Sequence, residues 1–570
     1  MYVEIVPNRN SKPAVLLRRG WREGKKVRKQ TLANLTHWPP EQVEALRKVL
    51  RGEVLLSPDE LFSVEVSRPH GHVEAVLGLL RKLGLDRLIS PKRKRSRDLV
   101  VAMIAERLLH PDSKLATTRR WHTTTLAEEL SVEDADVDEL YDVLDWLLAR
   151  QQPIERRLAE RHLSEGALVL YDVSSSYYEG SSCPLARFGH NRDGKKGKRI
   201  ITYGVLTDRE GRPVAVDVYP GSTGDPTTVS DQVAKLRQRF GLERVVLVGD
   251  RGMLTETQID HLRQYPGLGW VSALRSSAIR RLVEQEALQL SLFDERNLAE
   301  ISSPDYPGER LIACFNPLLA EERRRKREEL LVATEKELDK VARDVARRTQ
   351  KLYTDEQIGA KVGRVIHRFK MAKHFTWLVE DSRLVWSRRE ESIARETALD
   401  GIYVIRTSEP VESLSAEDTV RSYKSLAQVE QAFRCLKGFD LRVRPIYHRT
   451  EDHVRAHIFL CLLAYYVEWH LRRAWAPLLF ADEELRSRRT TRDPVAPAAP
   501  SAPAKRKKTT KTTPDGLPVH SFKTLLEELA TRCRNTCSVH SDALEGATFQ
   551  QITRPTTLQA KALELLGCSQ

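Results

Sequence analysis

Two apolar runs in this chain each carry an aspartate where a buried strand ordinarily admits none. The first, ALVLYDVSSSYYEG, sets Asp172 in the middle of a stretch rich in β-branched and aromatic residues. The second, RVVLVGDRGML, sets Asp250 at the end of its apolar segment. An acid in such a place is costly unless ions or hydrogen bonds compensate it, so both positions are informative. The flanking segments say how the two runs relate. KRIITYGVLTDREGRPVAVDVYPGSTGDP reads as two strands joined by a turn at Arg209 to Arg212, and TTVSDQVAKLRQRFG reads as an amphipathic helix. TETQIDHLRQYP is a helix with Thr255 as its N-cap, and GWVSAL is a further strand. In a three-strand meander followed by a helix, the first and fourth strands lie side by side. The two carboxylates then meet at one edge of a mixed sheet.

That element order is the order of an RNase-H-like domain, so the expected class is α/β: an RNase-H-like mixed sheet with a large α+β insertion, preceded by a helical DNA-binding domain. The 570 residues suffice for several cores. Residues 1–55 read as a basic β-hairpin module, with strands on either side of a turn at Gly20 to Gly24. Residues 56–165 repeat apolar positions at three and four, as in DLVVAMIAERLLHP, and read as the helical domain. The sheet domain occupies 166–275 and resumes over 401–480. Between them, 276–400 reads as a strand-rich insertion around the charged helical stretch LLAEERRRKREELLVATEKELDKVARDVARRTQ. Residues 481–514, with PVAPAAPSAPAKRKKTTKTT, read as a disordered Pro/Ala-rich basic linker, and 515–570 as a C-terminal helical segment.

Charge points to the partner. Lys and Arg number 93 against 79 Asp and Glu, a formal +14, and such a surface attracts polyanions, nucleic acid first among them. KRKK at 505–508 offers sequence-independent phosphate contacts or is simply solvated. Seven Cys without framework spacing fit a reducing compartment. Cys533, Cys537 and His540 resemble zinc ligands only superficially, because a fourth at usable spacing is missing and the pair reads as a helix end. No signal pattern and no run of about 18 apolar residues occurs, so no membrane association is expected.

A third acid must come from later in the chain. Tyr423, Glu430 and Lys437 are spaced seven apart, within about 20° per step of one helical stripe. A carboxylate flanked by a phenol and an ammonium suits phosphate handling; an ordinary charged surface helix gives the same pattern. Here the segments LVLYDVSSSYYEG, VVLVGDRGML and YKSLAQVEQAFRCLKG resemble the three catalytic blocks of insertion-sequence transposases with a DDE triad. They are most similar to the branch whose last block carries a Tyr-Arg-Glu-Lys signature and whose second Asp and Glu are split by a strand-rich insertion. About 180 residues separate Asp250 from Glu430, and RPIYHRTEDHVRAHIFLCLLAYY is similar to the continuation of that branch. Leu426 stands where the signature has Arg, so that phosphate contact is absent or supplied by a neighbour such as Lys424 or Arg434.

The resemblance implies a transposase that binds the ends of its own element and carries out strand cleavage and strand transfer of the cut-and-paste type. Asp172, Asp250 and Glu430 would be both catalytic residues and metal ligands for two ions, Mg²⁺ or Mn²⁺, since oxygen-only ligands favour hard cations. A pair of ions bridged in this way activates the attacking oxygen and stabilises the leaving one. Tyr423 and Lys437 would hold DNA phosphate. Trp377 and Trp386 lie in the insertion, where such enzymes stack a flipped base, although as core residues of short strands they need no such role. Double-stranded DNA, as element ends and target, is the implied partner, with a homodimer on the DNA. The bacterial cytoplasm, at the nucleoid when DNA is bound, is the implied location. A structure-selective nuclease on the same fold, or a catalytically silent DNA-binding descendant, are the competing readings; the three intact acids speak against the latter. Asp217 and Asp225 read as strand-surface and turn carboxylates, and His453 and His457, at i and i+4, as structural or DNA-facing.

Overall fold

Short apolar runs rich in Val, Ile and Leu, followed by basic ones, make the chain begin as sheet. The computed structural model describes residues 1–9, 11–53, 62–294, 296–348, 352–380, 383–496, 498–540 and 547–567. They divide into two units, residues 1–70 with 531–554, and residues 71–530 with 555–570.

In the first unit, β1 (Tyr2–Val6), β2 (Ala14–Glu23) and β3 (Lys26–Asn34) form an antiparallel sheet in that order, followed by a helix at Pro40–Leu50. The expected turn at Gly20 to Gly24 is shorter than that. Gly20 lies inside β2 opposite Lys29, and Gly24, at φ 60°, begins a two-residue connection between paired Glu23 and Lys26. A second sheet pairs β4 (Phe62–Pro69) with Cys533–Val539, which in turn pairs with Thr548–Ile552. The C-terminal segment is therefore not helical throughout. RNTCSV and TFQQI carry the Thr, Val, Phe and Ile that favour a pleated surface, and they form strands between the helices Phe522–Ala530 and Thr557–Leu566. Cys533 and Cys537 sit on a strand rather than a helix end, and four residues of strand put them about 13 Å apart, too far to share one ion. His540 is engaged by Ser63 at 2.9 Å.

Within the span expected to be helical, Phe62–Pro69 is a strand, and residues 56–61 lie outside the described residues; in the second unit the helices include Gly71–Lys82, Arg95–Leu109, Lys114–Arg120, Val137–Leu148 and Gln151–His162. Arg95–Leu109 is buried from Arg97 onward, four charged residues included. Gln151–His162 is tied to the sheet by Glu155, which accepts from the Val216 amide at 3.0 Å and faces the buried Lys235 ammonium at 3.4 Å.

Among the described residues the sheet has eight strands. β5 (Ala167–Tyr177), β6 (Ile200–Asp208) and β7 (Pro213–Pro220) form the antiparallel meander. β8 (Val245–Val248) pairs parallel with β5, and β9 (Leu268–Ala273) parallel with β8. β10 (Leu298–Ile301) and β11 (Arg310–Phe315) belong to the segment expected as a separate insertion, yet they extend this same sheet. The connection is β14 (Ile402–Thr407), antiparallel to both β11 and β9, giving the order β10-β11-β14-β9-β8-β5-β6-β7.

What remains of the insertion is mainly helical. Its strands are the hairpin β12 (Phe375–Glu380) and β13 (Arg383–Arg388). A 31-residue helix, Pro317–Arg347, capped by Asn316, packs on Asp355–Arg368. The sparse apolar stripe of the long helix, Leu331, Leu338 and Val345, recurs every seven residues and is fully committed to a core with Ile358, Val362, Ile366 and Phe375. The 505–508 cluster is likewise not a disordered linker. Ser501 caps a helix at Ala502–Thr510, and buried Lys507 donates to the Ala476 carbonyl at 2.9 Å and to Glu483 at 2.8 Å. Among the described residues, no helix is long and apolar enough to cross a membrane.

Candidate active site

The pairing of β5 with β8 brings the two aspartates to one edge. Leu170 is the partner of Val248, the last residue of β8; Asp172 lies two residues further along β5, and Asp250 two residues past the end of β8, near enough for its charge to act on Asp172. Asp172 is half-buried and accepts a hydrogen bond from the Val173 amide at 2.7 Å. Burial pushes its carboxyl up to about 7, and the charges of Asp250 and Asp225 push the same way, against Arg192. Asp250 is exposed just beyond β8, in a tight turn where its carbonyl accepts from the Met253 and Leu254 amides and its Oδ2 from Gly252 at 3.2 Å.

The later block reaches this edge from a helix pair. The stripe expected on one helix is divided: Ala416–Lys424 ends with Tyr423 in its last turn, and Ala427–Lys437 starts after a break at Ser425 and Leu426. The Tyr423 phenol donates to Asp250 Oδ1 at 3.3 Å. Burial raises its pKa, with Asp250 and Glu430 adding to the effect, so it stays protonated and remains a donor. Glu430 projects exposed from the first turn of the second helix, near enough to Tyr423 for its charge to be felt there. That helix is fixed by Val429, Ala432, Phe433, Cys435 and Leu436, with Phe433 edge-on to Tyr203 of β6 at 5.8 Å. Gly211, at φ 84° in the β6–β7 turn, makes room for it, since a Cβ there would lie 2.7 Å from that of Gln428.

Lys437, two turns on, is not a free cation. Its ammonium bonds Asp193 Oδ1 at 3.1 Å, and Arg444 pairs with the same oxygen. Asp193 Oδ2 accepts from the Tyr177 amide of β5 at 3.0 Å. Leu426 packs against the main core, and Lys424 turns away to the Pro494 carbonyl, so neither supplies a cation here. Arg251, exposed next to Asp250 and acting on Tyr423, does. Arg192 pairs with Asp225, which approaches Asp172 closely enough to raise its pKa, so that carboxylate is more than a turn residue. Asp217 faces Lys235 at 2.6 Å and Gln232 at 2.7 Å instead. Sequence reasoning missed Arg192, Asp193, Arg251 and Arg444; the basic run around Asp193 was the only signal, and it names no partner.

A cavity of about 190 Å³ lined by His190, Arg192, Asp225 and Gly252 opens beside these groups. A larger one, about 400 Å³, lies at the start of β5 around Ala167 and Arg244 and holds none of the acids discussed above. The donor set Asp172, Asp250 and Glu430 is all carboxylate oxygen, and Asp172 is held toward its protonated form by burial and negative neighbours, which a divalent cation would relieve. The residues therefore fit hard divalent ions. Another group, Cys435, Asp440 and Glu468, has ligand atoms within 4.8 Å of one another. Arg472 already occupies it, bonding Glu468 at 2.5 Å and Asp440 at 3.0 Å.

Trp377 and Trp386 are cross-strand partners in the β12–β13 hairpin. Trp386 packs edge-on to Phe375 at 5.8 Å, whereas Trp377 is 38% exposed. His453 pairs with Asp145 at 3.3 Å and His457 is buried, both away from the acids.

The family model for the transposase DDE domain matches residues 175–467, just over half of the chain, opening three residues after Asp172. The chain belongs to the DDE transposase family. The N-terminal domain of IS1634 family transposases matches residues 3–57, which is the β1–β3 sheet with the helix that follows it. This is therefore an insertion-sequence transposase, a DNA-cleaving enzyme of a family that works on DNA and typically with divalent metal. No curated protein matches the transposase. Among solved structures it is similar to the piggyBac transposase in a synaptic complex with hairpin DNA, at 11% identity over 81% of this chain and 76% of that one. The TM-score there is 0.30, a likeness that carries no argument.

Proposed function

We propose that the transposase binds the ends of its insertion sequence and excises and inserts it by cut-and-paste chemistry at Asp172, Asp250 and Glu430, on an RNase-H-like sheet. The observation that carries this reading is the placement of Asp172 on β5 and Asp250 just past the end of its parallel neighbour β8, with Tyr423 linking Asp250 to the Glu430 helix. The strand order β7-β6-β5-β8-β9 supports the fold assignment.

Two Mg²⁺ or Mn²⁺ ions, when bound, would supply activation of the attacking oxygen and stabilisation of the leaving oxygen. Asp172, Asp250 and Glu430 would hold them. The Asp172 carboxyl, with its pKa pushed up to about 7, would be deprotonated when cations are bound. Tyr423 holds Asp250 through its phenol while Arg251 offers its guanidinium to the scissile phosphate. Lys437 and Arg444, oriented by Asp193, face the adjacent phosphate. Cleavage of one strand at each end releases a 3′-OH, which attacks target DNA or the opposite strand; in each step one P–O bond forms as another breaks. The N-terminal sheet and the helical segment recognise the ends, and two protomers join the two ends. Trp377, exposed on its hairpin, offers a face for a flipped base.

Asp172→Ala tests the assignment. Mg²⁺-dependent cleavage of a donor with defined ends should be abolished while end binding is nearly unchanged; retained cleavage overturns it. Strand-transfer products from the same donor separate a transposase from a nuclease on the same fold.

A further inference from the structure

A second site lies where the helices Arg95–Leu109, Lys114–Arg120 and Glu451–Ala474 meet the loop 441–450. There a cavity of about 300 Å³ is lined by Arg107, Lys114, His448, His457, Arg442 and Arg444. Its floor is deeply buried: Lys114 is 4% exposed, Arg107 6% and His457 5%. Lys114 Nζ lies 3.4 Å from His457 Nδ1, and the His448 and His457 rings are 4.9 Å apart. The carboxylate in the lining, Asp112, is drawn off to Arg120 at 3.0 Å. Among the described residues, no carboxylate forms an ion pair with Lys114 or Arg107.

Burying an ammonium beside a guanidinium without a counter-charge is expensive. The cost is visible in the titrating groups. Burial, with Arg107 adding its repulsion, brings Lys114 down to about 7, and burial brings His448 down to about 2. An ordinary structural lysine pairs with a carboxylate or reaches solvent; Lys114 instead contacts the His457 ring, whose other nitrogen is engaged by the Val443 carbonyl at 3.2 Å. Lys114, Arg107, Arg442 and Arg444 put four cationic side chains around one empty space, the setting an oxyanion requires. We infer that this cavity receives a phosphate of the DNA strand, outside the carboxylate site. The inference rests on the transposase reading for its ligand. Arg444 gives the path: it lines the cavity and also pairs with Asp193, so a strand running past Lys437 and Asp193 reaches the rim.

The test uses the full chain without divalent metal, so that it is independent of cleavage. Lys114→Met, similar in length and apolar, should raise the melting temperature in chloride, because it removes an unpaired buried charge; a lysine with a structural role would lower it. Inorganic phosphate, compared with chloride at equal ionic strength, should stabilise the parent through linkage and not the variant. Binding to duplex DNA should weaken about tenfold, with a salt slope lower in magnitude by about one. Arg107→Gln serves as a second variant should Lys114→Met not fold. Phosphate stabilisation lost in the variant with unchanged DNA binding would mark a free-phosphate site and overturn the inference. Unchanged slope and no response to phosphate would overturn it too. Either result leaves the Asp172 assignment standing, since that is read from Mg²⁺-dependent cleavage.

Discussion

Asp193→Ala should destabilise the transposase by about 3–5 kcal/mol, the usual cost of removing one partner from a buried ion pair. The structure sets the size. The Asp193 side chain is 1% exposed, and it answers three donors: the Tyr177 amide, the Lys437 ammonium and the Arg444 guanidinium. An unpaired buried amide alone costs about 1–3 kcal/mol. The rest comes from leaving Lys437, 11% exposed, without its counter-charge; Arg444, 29% exposed, recovers part of its loss in water. Asp193→Asn keeps an oxygen for the Tyr177 amide and should cost roughly half as much. Urea unfolding at neutral pH measures both, and a cycle with Lys437→Met should give a coupling of about 1–3 kcal/mol. An Asp193→Ala variant within about 0.5 kcal/mol of the parent, or strict additivity with Lys437→Met, would refute the reasoning.

Phe433→Ala should cost about 3–5 kcal/mol and lower cleavage as well, because the ring both fills the core and fixes the Glu430 helix on Tyr203; lost stability with full cleavage would show that Glu430 is placed by something else. Tyr423→Phe removes a hydrogen bond to a charged acceptor, about 1.5–3 kcal/mol, and should slow cleavage about 10- to 100-fold with unchanged DNA affinity, read in single-turnover assays. Burial raises Glu468 from 4.5 to about 7, with Arg472 opposing. A raised acid favours the fold while protonated, so its contribution is full below pH 4.5 and is lost as pH rises to about 7. Glu468→Gln should therefore gain stability at pH 7.5 and match the parent at pH 4.5; parallel curves for the two would contradict this.

Much of the site was legible because it sits on local signals. ALVLY and VVLV announce buried strands, and the meander makes β5 and β8 neighbours, so Asp172 beside Asp250 follows from order alone. The Glu430 helix was legible through its seven-residue spacing, but its break at Ser425 was not, since Leu426 and Ala427 suit a helix interior as well as a junction. ERLIACF and DGIYVIRT read as strands, yet periodicity is silent on partners, and β11 finds β14 some 90 residues away. The long helix was legible as a charged helix, but not its packing partners, because its buried stripe uses one position in seven. Asp193 was illegible for a different reason: its partners, Lys437 and Arg444, lie in another segment, and its local setting is a basic loop.

The pairing of β11 with β14 also settles what kind of object the helical arm is. Phe315 and Ile402 are opposite one another, and the Asn316 amide bonds the Gly401 carbonyl at 2.9 Å. The chain thus leaves the sheet and comes back at adjoining points, about 5 Å apart. In connectivity, the whole arm is the tip of a β-hairpin. By that connectivity, cutting it back to a tight turn should leave the strand registers unchanged, and the segment bearing Tyr423 and Glu430 should resume from the same place.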